Sequence, residues 1–155
     1  MKRSLRHFST AAALAFSMTF SSSAAVFAEE DQAHIVTIDV AIGKSCAISA
    51  FTNAANEWTM RVMNGDKLAA LYKGAGTDFK PMVLAEGESS FVVEDSVKAF
   101  FSAGSDKFAV RQGGSAILTD KQGPSVFSTL IGGEDGSDDD WQDIVATITC
   151  LRIDG

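Results

Sequence analysis

The sequence predicts an all-β fold, a single-domain antiparallel β-sandwich of about nine short strands. Three observations predict it. Short runs of β-branched, aromatic and aliphatic residues alternate with clusters of Gly, Asn, Asp and Ser. Long stretches of helical periodicity are few. Two runs alternate cleanly: Cys46, Ile48 and Ala50 share one face of CAISAFT, and Ile144, Ala146, Ile148 and Cys150 share one face of DIVATITC.

Taken in order, the chain opens with the basic stretch MKRSLRH, an apolar small-residue run and a Val26-Phe27-Ala28 junction. This is the layout of a secretory signal peptide over residues 1–28, too short and Ser-broken for a membrane span. Cleavage near Ala28 leaves a domain over 29–155, exported to the periplasm or secreted. Candidate strands follow at 34–41, 46–52, 57–63, 67–72, 90–95, 97–103, 107–112, 115–120, 125–131 and 143–150. Asn64-Gly65 supplies the left-handed positions of a hairpin turn between EWTMRVM and KLAALY. Gly104-Ser105 and Gly113-Gly114 mark two further turns. The run 67–72, rich in Leu and Ala, also suits a helix.

Charge and cysteine usage narrow the function. Of 13 basic residues, Lys2, Arg3 and Arg6 lie in the leader, so 10 face 20 acidic ones in the mature chain. A net charge near −10 argues against nucleic acid and anionic membrane as partners and suits a cation or a neutral ligand. Cys46 and Cys150, an even pair in an exported chain, predict one disulfide between an early segment and the last strand.

The acidic run GGEDGSDDDWQD at 132–143 carries the chemistry. Glu134, Asp135, Asp138, Asp139, Asp140 and Asp143 place six carboxylates in ten residues without a basic neighbour. Solvation alone explains many such runs. This one is anchored by an apolar strand at each end, interrupted by Gly136, and contains Trp141, a ring suited to packing a loop on the body. Calcium is the matching ion, because it accepts roughly six to eight oxygens in flexible geometry. Zinc lacks His and Cys ligands here. The run is not an EF-hand: with Asp138 first, Asp143 occupies the required glycine position and Thr149 the terminal glutamate position. Two Ca²⁺ ions would set four positive charges against six negative ones and leave open coordination positions for a ligand with adjacent hydroxyls.

The stretch LIGGEDGSDDDWQDIVATI resembles the signature of the LecB-type calcium-mediated lectins, the bacterial fucose- and mannose-binding family. Their pattern is approximately G-x-E-D-G-x-D-x-D-Y-N-D followed by an apolar strand. A fainter likeness runs through AFTNAANEWTMRVMNGDKLAALY, and 73–124 aligns loosely. The resemblance implies a small antiparallel β-sandwich holding two adjacent Ca²⁺ ions, with a mannose- or fucose-type sugar coordinating both through its hydroxyls. By position, Glu134 and Asp138 serve one ion, Asp140 and Asp143 bridge both, and Gln142 and Asn53 serve the second. Asp135 accepts a hydrogen bond from a sugar hydroxyl, with Asp138 and Asp143 also on the sugar. Ala54, Ala55 and Asn56 stand in the loop that tunes sugar preference, and their alanines lean towards mannose. The family's C-terminal Gly lends its carboxylate to a neighbouring subunit's site, which implies a homodimer or higher homo-oligomer. Gly155 ends this chain, two residues farther from Asp143 than usual. Trp141 replaces Tyr and Gln142 replaces Asn. The cysteine pair is not a general family feature.

The leading reading is therefore a secreted calcium-dependent carbohydrate-binding protein without catalysis, since no nucleophile stands with a base. Two alternatives stay open: a calcium-stabilised adhesion or matrix β-domain without a sugar site, and a glycosidase using paired carboxylates.

Overall fold

One strand organises the molecule. The structure, a computed structural model, describes residues 34–105, 107–121, 123–136 and 141–152. The expected leader (1–28), Asp138, Asp139, Asp140 and Gly155 lie outside the described residues. Among the described residues the elements are β1 (His34–Ile38), β2 (Ser45–Asn64), β3 (Lys67–Pro81), β4 (Val83–Gly87), β5 (Ser90–Val92), β6 (Val97–Ala103), β7 (Ala109–Asp120), β8 (Gly123–Glu134) and β9 (Ile144–Leu151). All pairings are antiparallel. Along one edge, β2 pairs with β9 over Ser45–Thr52 and then with β6 over Trp58–Asn64. Residues 53–57 are the switch between these partners. β3 follows the opposite edge, with register shifts around Ala54 and Trp58. Bulges of this kind bend a strand and increase its twist, so β2 belongs to both layers: β1-β6-β2 on one side of the switch and β2-β9-β8-β7 on the other.

The all-β antiparallel prediction holds, but the strands are longer than expected. Segments 46–52 and 57–63 are one strand of 20 residues. Segments 107–112 and 115–120 also join, because Gly113-Gly114 is a register shift inside β7 rather than a turn. The run 67–72 is strand, paired with β2; its cross-strand partner overrides helix propensity. β4 was not foreseen, since all five of its residues are exposed and leave no alternation to read. The β2–β3 turn is Gly65-Asp66, with the left-handed φ of 60° at Gly65. Asn64 instead closes β2, and its Oδ1 accepts from the backbone N–H of Glu94 at 2.9 Å and Asp95 at 3.2 Å.

The core lies between the two layers. Trp58, Met60 and Val62 from β2 are fully buried with Phe101 of β6, Ile131 of β8, and Ile144 and Ile148 of β9. Trp58 meets Phe108 edge-on with ring centroids 5.6 Å apart. Cys46, Ile48, Ala50, Ala146 and Cys150 are buried, as their alternation required. Cys46 and Cys150 stand opposite each other in the β2–β9 ladder and form the disulfide. No helix among the described residues is long and apolar enough to cross a membrane.

Candidate metal centre

The acidic run is the β8–β9 connection, and it lies beside the point where β2 changes partner. β8 ends at Glu134, and the β8–β9 ladder starts from the Gly133–Ile144 pair. Ile144 also pairs with Thr52, the residue before the switch. Asp143 is fixed from three sides by its backbone: its N–H donates to Gly133 O at 3.1 Å, and its carbonyl accepts from Asn53 N at 2.9 Å and Thr52 Oγ1 at 3.2 Å. Thr52 is fully buried.

The loop then folds around its own carboxylates. Glu134 is 4% exposed, and its two oxygens accept from opposite limbs of the connection, Gly136 N at 2.8 Å and Trp141 N at 3.3 Å. Asp143 Oδ2 accepts from Asp135 N at 2.7 Å. Asp135 Oδ2 accepts from Asn56 Nδ2 at 3.1 Å, and its carbonyl lies 3.1 Å from Ser105 Oγ. Glu134, Asp135 and Asp143 thereby bring one carboxylate oxygen each within 4.8 Å of one another.

Trp141 anchors the loop, as its place in an acidic run suggested. Its φ of 57° turns the chain back, and the Arg111 guanidinium lies 3.2 Å above its ring, a cation–π contact. The glycine pair serves approach rather than flexibility. A Cβ on Gly132 would lie 2.8 Å from the Trp141 carbonyl, and one on Gly133 would lie 2.5 Å from Ile144 Cγ2 and 2.9 Å from Trp58 Cη2.

Of the expected site residues, the structure gathers Glu134, Asp135 and Asp143, with Asn53 and Asn56 alongside. Asn53 contributes its backbone to Asp143, while its Oδ1 accepts from Asp78 N at 2.8 Å. Gln142 is half-buried beside Asp143. Ala54 is 4% exposed, its methyl belongs to the core and its N–H donates to Thr52 Oγ1 at 3.4 Å, so it is closed to a ligand; Ala55 and Asn56 face solvent. Sequence reasoning missed Thr52, Ser105 and Arg111. A polar Thr between the apolar Ala50 and Ala54 on one strand face was the one available signal.

The donor set is oxygen only. His34 stacks on Phe108, and the cysteines are bonded to each other. A carboxylate has lone pairs beyond one accepted N–H bond, so the trio fits a hard cation such as calcium and not zinc.

Residues 36–152 match the family model of fucose-binding lectin II (PA-IIL). The chain belongs to this family. Among solved structures, the high-affinity mannose-binding lectin of Ralstonia solanacearum is similar with a TM-score of 0.59 and 23% identity, over 74% of this chain and 93% of that one. The C-terminal domain of the BC2L-C lectin from Burkholderia cenocepacia gives 0.56 and 23% over 76% and 97%. The Chromobacterium violaceum lectin CV2L, solved with alpha-methyl-fucoside, gives 0.57 and 15% over 74% and 93%. No curated protein matches. Membership makes the chain a carbohydrate-binding lectin, and lectins hold sugars without transforming them, so the family agrees with the expectation of no catalysis.

Proposed function

We propose that the chain is an exported, calcium-dependent lectin that binds mannose- or fucose-type monosaccharides through two adjacent Ca²⁺ ions. The observation that carries this reading is the convergence of Glu134, Asp135 and Asp143 within 4.8 Å, beside the solvent-facing Ala55-Asn56 stretch of β2. When bound, calcium supplies Lewis acidity to vicinal hydroxyls at its open coordination positions. The protein's part is to hold the oxygens in place: Glu134 through two backbone donors, Asp143 through Gly133, Asn53 and Thr52, and Asp135 through Asn56. Two ions rather than one are supported by the six carboxylates of 134–143. A sugar of either type is supported by the mannose-binding and methyl-fucoside-bound neighbours. Export is supported by the leader-like residues 1–28 and by the disulfide, which persists in oxidising compartments.

A second copy of the chain is the macromolecular partner we assign. On the outer face of β2-β9-β8-β7, the register aligns Ser45, Leu151, Val126 and Leu118 in one row, Ala47, Thr149 and Ser128 in the next, Ser49, Thr147, Leu130 and Gly114 in a third, and Phe51, Val145, Gly132 and Arg111 in a fourth. The first three rows carry no charge, in a chain of net charge −7, and Arg111 at the end of the fourth is laid on the Trp141 ring. Two acidic copies repel least when they meet through such a face.

Calorimetric titration with alpha-methyl-mannoside and alpha-methyl-fucoside, in calcium and then after chelation, tests the function. Sugar heat that vanishes on chelation is expected. Calcium binding with no sugar heat at millimolar sugar would instead leave a calcium-stabilised domain without a sugar site.

A further inference from the structure

Opposite the β2 partner switch, β3 carries a protrusion. Thr52 pairs with Lys80 and Ala54 with Gly76, so the single residue Asn53 faces three, Thr77, Asp78 and Phe79. Asp78 and Phe79 both take left-handed conformations, with φ of 70° and 51°. Two successive non-glycine residues in that region are unfavourable and persist only where the surroundings hold them. Here the hold is the Asn53 side chain, whose Oδ1 accepts from Asp78 N at 2.8 Å. The apolar ring that this backbone presents is 48% exposed. Single exposed apolar residues are ordinary; a rigidly displayed aromatic beside a ligand-binding stretch is not.

The position of the protrusion says what it meets. The 53–56 stretch lies between two fixed points. Asn56 holds Asp135 of the carboxylate trio, and Asn53 holds Asp78 of the protrusion. Three residues of extended chain span at most about 10 Å. The carboxylate trio and the protrusion are thus tied to the two ends of one short stretch, and a ligand seated on the carboxylates would need a substituent of about that length to meet Phe79.

We propose that Phe79 is an aromatic platform for the apolar face of a ring linked to the bound monosaccharide, and so sets a preference for extended over simple glycosides. The inference rests on the calcium-lectin reading above. A sugar ring presents C–H groups on one face, and an aromatic side chain pairs with such a face by burying apolar area without competing for hydroxyls.

Calorimetry of the full mature chain in calcium tests the proposal with three probes: alpha-methyl-mannoside, 4-nitrophenyl alpha-mannoside and an alpha-linked dimannoside. The wild type is expected to favour one or both extended ligands over the methyl glycoside, and Phe79→Ala to lower that ratio about 3–10-fold, the size of an ordinary aromatic contact. Phe79→Trp should restore it. Loss with the nitrophenyl glycoside alone assigns the platform to an aryl aglycone, and loss with the dimannoside assigns it to a second sugar. A separate calcium titration of each variant reports whether the 53–56 stretch stays intact. An unchanged ratio in Phe79→Ala overturns the platform while the lectin reading stands. Failure of wild type to bind any of the three mannosides, or alpha-methyl-fucoside, overturns both.

Discussion

The backbone N–H of Asp135 donates to Oδ2 of Asp143 at 2.7 Å, closing the acidic β8–β9 connection on itself. Like charges are thus drawn together by N–H donors of the backbone. Glu134 does the same across the loop, between Gly136 and Trp141. The carboxylates are held convergent by the fold, so a cation binding there would meet a set of oxygens already close together.

Glu134→Gln should weaken calcium binding roughly 10–100-fold, because an amide nitrogen replaces one of two acceptors that face backbone donors, and hydrogen bonds to charged groups contribute about 1.5–3 kcal/mol. Titration of calcium into residues 29–155 reads this directly. An unchanged affinity would remove Glu134 from the site.

Gly133→Ala should destabilise the fold by about 1–3 kcal/mol, because its Cβ would press on Ile144 and Trp58. A Cβ on Gly114 would meet no atom within 4 Å, and this glycine lies at a β7 register shift. Gly114→Ala should change stability by no more than about 0.5 kcal/mol. Urea denaturation of the two variants side by side checks both, and equal effects would contradict the packing described for Gly133.

Reduction of the Cys46–Cys150 bond, which joins residues 104 apart in sequence, should cost roughly 3–5 kcal/mol by the chain-entropy account. The pair lies at the end of the β2–β9 ladder away from the Thr52–Ile144 end that borders the site. Calcium affinity of a Cys46→Ser, Cys150→Ser double variant should therefore fall far less than its midpoint of unfolding. A matched loss of both would show that the bridge also shapes the site.

Leu130→Lys should shift the chain towards monomer in sedimentation, since it puts a charge into the uncharged rows of the β2-β9-β8-β7 face, where Leu130 is 45% exposed. Lys98→Glu on the other layer should leave the distribution unchanged. Identical sedimentation of wild type and Leu130→Lys would mean that this face does not join two copies.

Much of the fold was legible because strand alternation is a local property. The alternation of 46–50 and 144–150 identified which side chains are buried, and the two cysteines fell on that side. β4 was illegible for the same reason, since a fully exposed strand has no alternating face. The joining of 46–52 to 57–63 was hidden because NAAN at 53–56 reads as a loop by composition, yet β3 pairs along the other edge of β2 at Thr52, Ala54 and Trp58 and keeps the stretch extended. Gly113-Gly114 read as a turn because glycine permits one; β8 pairs on both sides of it and makes it a bulge.

The sequence by itself determined the acidic run and its oxygen-only chemistry, the buried strand faces, and the cysteine pair, all of which follow from residue type and period. Only the tertiary structure decided that β2 changes partner at 53–57, that Asn56 meets Asp135 across 79 residues of chain, and that Asn53 holds the protrusion bearing Phe79. Those relationships depend on which strand edges meet, a choice made by packing the whole core and invisible to any local window of residues.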